Sequence, residues 1–254
     1  MTIATEYLDA ALAQLGAVRE TQAQAIEAAA QACAASIAAD KLVFTFGTGH
    51  GSFAALETFP RTGTVTGFRP IVETPIAMFH HVLGDQGAAQ YRFLHTREGY
   101  GHAILASHRL VAGDTMLLFS HSGINAVVLD IATEARRRGL TVVGVTSVPH
   151  SSQVTSRHSS GSRLYEVADV TVDTGVPYAD AGLRLDGVEH PLGPTSTVLA
   201  TAIAHAIVAG TVEHLVRLGR APFVMVNPNT AGREEANAQN DRNYEELWRV
   251  LSSR

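Results

Sequence analysis

The chain has 254 residues, of which 46% are hydrophobic and 17% are charged, and its formal net charge is −5. This composition predicts a folded protein with a sizeable core and excludes general disorder. The sequence has no basic cluster beyond Arg136-Arg137-Arg138, which is typical of a helix end, so nucleic-acid binding is not expected. A single cysteine, Cys33, permits no internal disulfide and favours a reducing cytoplasm.

No secretory signal and no membrane partner are expected. Residues 1–10 are polar and lack a basic start. The most membrane-like segment, residues 198–218, carries Glu213 and Arg217, and its uncharged part is too short to span a bilayer. We predict a buried or interface helix there.

The first predicted element is an alanine-rich helical stretch over residues 5–39, with a bend at Gly16. Such a helix either packs across a neighbouring subunit or covers the sheet. Five apolar runs then predict strands, at residues 42–46, 68–72, 115–119, 141–145 and 168–173. Because the second run contains Pro70, which cannot donate to a ladder, it is expected at a sheet edge.

Helices are predicted between and after these strands, at residues 53–57, 74–83, 96–110, 124–138, 196–218 and 241–251. Loops are predicted at residues 84–90, 151–162, 177–194 and 222–240. Alternating strands and helices predict an α/β protein with a parallel sheet covered on both faces. We interpret residues 1–254 as one domain, with a helical extension (1–40), a core (41–220) and a C-terminal tail and helix (221–254).

The loop after the first strand predicts an anion site. It reads Gly47-Thr48-Gly49-His50-Gly51-Ser52 and leads into a helix. Glycines let the backbone approach a ligand, and the free amides of a first helical turn favour negative charge. The loop matches neither the Walker pattern nor the dinucleotide fingerprint, and many similar turns bind nothing. Phosphate binding and a plain strand-to-helix turn therefore both remain open for this loop.

Two further strands end in hydroxyl side chains. The third strand is followed by Ser120-His121-Ser122-Gly123 with Asn125 beyond, and the fourth by Thr146 and Ser147. The carboxyl ends of parallel strands meet at one edge, where open α/β sheets bind ligands. Ser120 alone could be a simple helix cap, but three agreeing strand ends predict a phosphate monoester held by neutral donors and helix dipoles.

These residues carry a family resemblance. The Ser120-His121-Ser122-Gly123 turn resembles the Ser-x-Ser-Gly signature of sugar isomerase (SIS) domains, and the first loop resembles their first phosphate loop. The chain is most similar to stand-alone SIS proteins from about residue 42 to its end. The supporting stretches are residues 122–127, 156–161, 164–169, 175–177 and 193–197.

The resemblance implies a five-stranded parallel sheet in flavodoxin-like order, a sugar-phosphate ligand and no cofactor. It also implies a homodimer or homotetramer with sites near subunit interfaces. Ser120, Ser122 and Asn125 match the family phosphate loop. A second Ser/Thr cluster that lines the sugar site is matched by Thr195, Ser196 and Thr197.

The sequence departs from the family at two places. Gly51 stands where the family usually has serine, so Ser52 lies one step later than expected. Pro191 stands where synthase-type isomerases have the glutamate that moves the proton. The resemblance therefore does not supply the base.

Aldose–ketose isomerisation needs a base beside the carbonyl and an acid–base group for ring opening. Our candidates are Glu57, on the helix after the first loop, His205, which shares a helix face with Thr197 and Thr201, and His158, in a Ser/His-rich loop. Glu57 could instead be a solvated helix residue, and His205 a hydrogen-bonded core or interface histidine. The His80-His81 pair lacks metal-type spacing. No metal site is predicted, although some phosphoheptose isomerases depend on zinc.

The predicted function is binding of a phosphorylated sugar or amino sugar, with isomerisation through an enediol-like intermediate. One alternative is a phosphosugar lyase or etherase. The other is a non-catalytic phosphosugar sensor, which the replaced glutamate favours and the lack of a preceding DNA-binding motif disfavours.

Overall fold

The computed structural model describes residues 2–77, 87–230 and 232–254. The helices are α1 (Ile3–Thr21), α2 (Ala23–Ala38), α3 (Gly51–Glu57), α4 (Thr74–Ala77), α5 (Gly87–Leu94), α6 (Tyr100–Ala106), α7 (Ala126–Arg137), α8 (Val148–Ser151), α9 (Leu164–Val167), α10 (Ser196–Arg217) and α11 (Arg233–Ser252). The strands are β1 (Val43–Gly47), β2 (Phe68–Pro70), β3 (Thr115–Phe119), β4 (Thr141–Thr146), β5 (Val170–Asp173), β6 (Ala181–Leu183) and β7 (Leu192–Pro194).

Strands β1 to β5 form one parallel sheet in the order β2-β1-β3-β4-β5. The predicted α/β class and flavodoxin-like order are confirmed, and Pro70 lies on the edge strand as expected. Every residue of β1 and β3 is buried, which explains why the central strands read as continuous apolar runs. The order reverses between β1 and β3, so the loops after these two strands flank the switch point.

Helices cover the two faces of this sheet and make a three-layer sandwich. On one face α1, α2, α3 and α10 pack through residues such as Cys33, Leu199 and Ile203. On the other face α6, α7, α9 and α11 pack through residues such as Leu105 and Ile131. Burial of this much apolar surface is the main force that fixes the sheet between its helices.

Helix α10 is, within the described residues, the one segment that could cross a membrane by length and composition alone. It packs against α2 and α3, and its Leu199, Ile203 and Ile207 are fully buried in the core beside the sheet. That position agrees with the buried helix predicted from the sequence.

Several predicted boundaries are wrong. The N-terminal stretch breaks at Gln22 and not at Gly16, which lies inside α1. The predicted loop at 84–90 is already helical from Gly87, and the helix predicted over 96–110 spans Tyr100–Ala106. Residues 78–86 lie outside the described part of the chain, so the predictions for 78–83 and 84–86 have no outcome there.

Two predicted irregular segments also contain regular structure. The long connection at 177–194 holds the antiparallel pair β6 and β7. The tail predicted over 222–240 is helical from Arg233, because α11 begins eight residues before the predicted helix at 241. Both errors have the same reason, which is a weak sequence pattern. Strands β6 and β7 have only three residues each, and the first turns of α11 are polar.

Candidate functional site

A cavity of about 300 Å³ lies at the carboxyl edge of the sheet, where the loops after β1 and β3 meet the start of α10. Its wall combines hydroxyl, imidazole, amide and carboxylate groups. The lining residues are Thr48, His50, Gly51, Tyr91, Ser120, His121, Ser122, Asn125, Asp180, Pro194, Ser196 and Thr197.

The two loops approach each other through glycine. A Cβ atom on Gly51 would lie 2.4 Å from the carbonyl oxygen of Phe119, and one on Gly47 would lie 2.3 Å from the Gly51 oxygen. No side chain fits at such distances. This contact explains why glycine stands at position 51, where the family resemblance had led us to expect serine.

The loop after β3 presents backbone amides at the start of a helix. Ser120 accepts a hydrogen bond from the amide of Gly123, which has a φ of +62°. The amides of Ser122, Ile124 and Asn125 make no hydrogen bond to any part of the chain that the structure describes. They directly precede α7, a twelve-residue helix, where the helix dipole favours negative charge.

The loop after β1 has fewer free amide and hydroxyl groups facing the cavity than the sequence predicted. The amides of Gly51, Ser52 and Phe53 already donate to carbonyl oxygens within the turn. The Ser52 hydroxyl donates to the carbonyl oxygen of Gly49 at 2.6 Å, and Ser52 is not among the lining residues. Gly49 has a φ of +54°, and a Cβ atom at this position would lie 2.8 Å from the Tyr91 hydroxyl oxygen. Thr48 and His50 are the side chains of this loop that line the cavity.

The start of α10 is occupied by a carboxylate that the sequence reasoning missed. Asp180 accepts hydrogen bonds from the amides of Thr195 and Ser196 at 3.1 and 2.9 Å, and from the Ser196 hydroxyl at 2.6 Å. Thr195 donates its hydroxyl to Gln14. Thr197 and Ser196 line the cavity, so the second Ser/Thr cluster does reach it, but Asp180 already binds this helix terminus.

His121 lines the cavity and lies against the ring of His150, which is outside the lining. The His121 and His150 rings lie 4.5 Å apart, and neither ring nitrogen of His121 has a hydrogen-bond partner in the described residues. The Nδ1 atom of His150 accepts from the amide of Ala179. Burial lowers the pKa of both histidines, an effect that the nearby Asp180 carboxylate opposes. Both imidazoles are therefore neutral at pH 7.

Tyr91 also lines the cavity, next to the loop after β1. Burial raises the pKa of its hydroxyl, against a hydrogen bond with Thr48. No sequence signal marked Tyr91, because the first half of the helix that carries it, α5, was predicted as part of a loop and the rest was given no element. Asp180, by contrast, lies in the long connection at 177–194, and long loops in compact domains are often functional.

Two predicted acid–base residues contact each other. The Nε2 atom of His205 lies 3.2 Å from a carboxylate oxygen of Glu57, which also pairs with Arg61. Neither residue lines the cavity, although α3 and α10 each begin at its wall. With a rise of about 1.5 Å per residue, Glu57 lies roughly 9 Å along α3 from Gly51, and His205 roughly 12 Å along α10 from Thr197.

Two other predicted residues point elsewhere. The Nε2 atom of His158 lies 3.4 Å from the buried carboxylate of Asp130, and its Nδ1 atom is 2.8 Å from the Ser160 hydroxyl. The fully buried Ser147 donates to the carbonyl oxygen of Val176 and accepts from the amide of His150. Neither lines the cavity in a single chain.

The described residues contain no group of three or more His, Cys, Asp or Glu side chains placed to hold a metal ion. The His80-His81 pair lies outside those residues.

The fold and the cavity together define a class: a three-layer α/β protein with a polar cavity at the switch point of its sheet. The SIS domain family model matches residues 6–147, more than half of the chain. The chain therefore belongs to the SIS domain family, as the Ser-x-Ser-Gly signature predicted. A UPF0309 protein of Streptomyces coelicolor is 36% identical over 236 residues, which cover 93% of this chain and 92% of the relative. A UPF0309 protein of Oceanobacillus iheyensis is 31% identical, and the alignment covers 97% of this chain and 98% of the relative.

Solved structures share the fold at low sequence identity. A phosphoheptose isomerase from Neisseria gonorrhoeae aligns with a TM-score of 0.55 and 14% identity, covering 83% of this chain and 97% of that one. A phosphoheptose isomerase from Francisella tularensis aligns with a TM-score of 0.53 and 14% identity, covering 84% of this chain and 100% of that one. The NanR protein of Vibrio vulnificus, solved in complex with ManNAc-6P, aligns with a TM-score of 0.50 and 15% identity. The alignment covers 86% of this chain and 65% of that one. The fold is thus one that isomerases and a sugar-phosphate-binding protein have in common.

Proposed function

We propose that the chain is a phosphosugar isomerase that anchors a phosphate group at the loop after β3 and transfers a proton with the Glu57–His205 pair. The observation that carries the proposal is the 3.2 Å contact between these two side chains. They come from two helices, and both helices begin at the wall of the cavity. A carboxylate beside an imidazole supplies the base and the acid that aldose–ketose isomerisation needs.

The spacing supports this arrangement. In a sugar phosphate the phosphate group and the carbonyl carbon lie at opposite ends of the molecule. Glu57 lies roughly 9 Å along α3 from Gly51, and His205 lies roughly 12 Å along α10 from Thr197, which is about two helical turns in each case. An extended phosphosugar that is anchored at Ser122 and Asn125 could run along the α3–α10 surface towards the pair.

A second copy of the chain would complete this site. The side chains of Glu57 and His205 are 31% and 43% exposed, whereas proton abstraction next to a carbonyl benefits from the exclusion of water. Phe53 and Phe59 flank Glu57 and are about half exposed, at 50% and 54%. We therefore propose a homodimer or homotetramer that covers this face. Light scattering should show the oligomer, and Phe59→Ser should weaken it; a fully active monomer would contradict this step.

The isomerase proposal is tested in two stages. A thermal-shift screen against sugar phosphates identifies a ligand, and proton exchange at the substrate C–H is then followed in deuterated water. We expect Glu57→Gln to reduce exchange by about 10²-fold or more while binding is retained, because general acid–base catalysis contributes about 10²–10⁴-fold. Glu213→Gln is the matched control, because Glu213 is exposed on α10 and pairs with Arg217.

The outcomes separate the alternatives. If the wild-type protein binds a sugar phosphate but does not exchange its C–H proton, the protein is a sensor and not an isomerase. Pro191, which stands in place of the family glutamate, favours that alternative. Exchange with release of a second product would indicate a lyase or etherase. Undiminished exchange in both Glu57→Gln and His205→Gln would remove the pair from the mechanism.

A further inference from the structure

Arg157, in the loop between α8 and α9, lies beside the cavity and contacts its wall residue Asn125. Its Nη1 atom donates to the side-chain oxygen of Asn125 at 3.2 Å, and its backbone amide donates to the carbonyl oxygen of Ile124 at 2.9 Å. Asn125 lines the cavity and is only 8% exposed. Arg157 is therefore attached at two points to the loop that carries the unpaired amides before α7.

A buried histidine holds the guanidinium from the other side. The Nδ1 atom of His95 lies 2.6 Å from the carbonyl oxygen of Tyr91, so this nitrogen carries the proton. The Nε2 atom then has a lone pair, and it lies 3.4 Å from Nη1 of Arg157. Burial lowers the pKa of His95, and the charge of Arg157 lowers it further against the Tyr91 hydrogen bond. His95 thus stays neutral and accepts from Arg157.

Much of the guanidinium remains available. Asn125 and His95 contact Nη1 only, and the N–H groups on Nε and Nη2 have no partner in the described residues. No carboxylate of those residues forms an ion pair with Arg157. Arg163 in the same loop differs, because its Nε and Nη2 atoms donate to backbone carbonyls of Ser151 and Val154.

A phosphate group bound in this cavity would need a cationic partner. The polar side chains of the cavity are hydroxyls, an amide, the imidazoles of His50 and His121, and the Asp180 carboxylate, which adds a negative charge. No lysine or arginine lines the cavity in the described part of the chain, and Arg157, next to Asn125, places a permanent cation beside it. Charge-assisted hydrogen bonds from a guanidinium are about twice as strong as neutral ones and match the geometry of phosphate oxygens.

We propose that Arg157, held in place by Asn125 and His95, is the cationic ligand of the anion that binds in this cavity. The inference rests on the proposed function and adds to it a preference for dianionic phosphate groups over singly charged or neutral ligands. Arg157 is a binding residue in this scheme, and His95 is a positioning residue.

Calorimetric titration with inorganic phosphate and with sulfate tests the proposal. Arg157→Gln should weaken the binding of both anions by roughly 10- to 100-fold, the range expected for charged hydrogen bonds. Arg157→Lys should recover part of the loss, because it keeps the charge but not the planar fork. Arg97→Gln is the matched control: Arg97 lies two residues after His95, stacks on Phe93 and has no contact with the cavity.

A second measurement does not depend on a variant that folds. Phosphate added to wild-type protein with ¹⁵N-labelled arginine should shift one Nε–H resonance that the Arg157→Lys spectrum lacks. Unchanged anion affinity in Arg157→Gln, with binding lost in Ser122→Ala, would overturn the inference and leave the phosphate site intact. Failure of the wild-type protein to bind phosphate, sulfate or any sugar phosphate would overturn the inference and the proposed function together.

Discussion

The hydrogen bonds of Asp180 to the start of α10 give a stability prediction with a defined size. Asp180→Ala removes the acceptor of the amides of Thr195 and Ser196, and of the Ser196 hydroxyl. Loss of such a cap costs about 0.5–2 kcal/mol. Loss of the charge at the positive end of the helix adds about 0.3–1 kcal/mol. We expect unfolding in urea to show a total loss of about 1–3 kcal/mol, and each kcal/mol to lower Tm by roughly 2–4 °C.

The backbone at this residue supplies the controls. Asp180 has a φ of +68°, a conformation that costs a non-glycine residue about 1–2 kcal/mol. Asp180→Asn keeps an acceptor and tolerates that φ, so it should be milder than Asp180→Ala. Asp180→Gly should be more stable than Asp180→Ala by about 1 kcal/mol, because it relieves the strain. An Asp180→Ala protein that is as stable as the wild type would refute the capping argument. An Asp180→Gly protein that is no more stable than Asp180→Ala would refute the strain argument.

Three further outcomes are expected. Burial raises the pKa of the Cys33 thiol to about 12, so labelling with a thiol reagent at neutral pH should fail in the native protein and succeed in denaturant. Asp114→Asn should cost about 3–5 kcal/mol in urea unfolding, because the buried Arg254 guanidinium loses its carboxylate partner; a loss below about 1 kcal/mol would contradict this. Because burial lowers the pKa of His121 and His150, the unfolded chain binds more protons below about pH 6.5, so stability should fall on acidification towards the folded-state pKa values. Thermal melts should show a shallower fall in His150→Gln.

The strongest sequence signals were the apolar runs of the central strands. Since β1 and β3 are buried on both faces, their sequences are continuously apolar and easy to recognise. Gly47 ends β1, Gly51 follows it, and the hydroxyls at positions 120 and 122 follow β3, so the edge of the sheet that holds the cavity was predictable. The weakest signals belonged to short or polar elements such as β6 and the first turns of α11.

Side-chain roles were harder to predict than positions. Ser52, Ser147 and Thr195 have the right residue type at the right edge, yet each hydroxyl donates to another group of the protein. Glu57 and His205 were each chosen from their helix alone, and their contact across 148 residues of sequence was not visible in either pattern. Local sequence reports the face that a residue occupies but not the hydrogen bond that it makes.

The sequence by itself determined the class of fold, the order of its main strands through the family resemblance, and the sheet edge where the cavity lies. Only the tertiary structure brought Asp180 to the start of α10 and Arg157 to Asn125. The physical reason is that periodicity and turn chemistry act over a few residues, whereas these contacts join loops 15 and 32 residues apart. Such contacts form only when the sheet and its helices pack, so the charges around the cavity are a property of the folded chain.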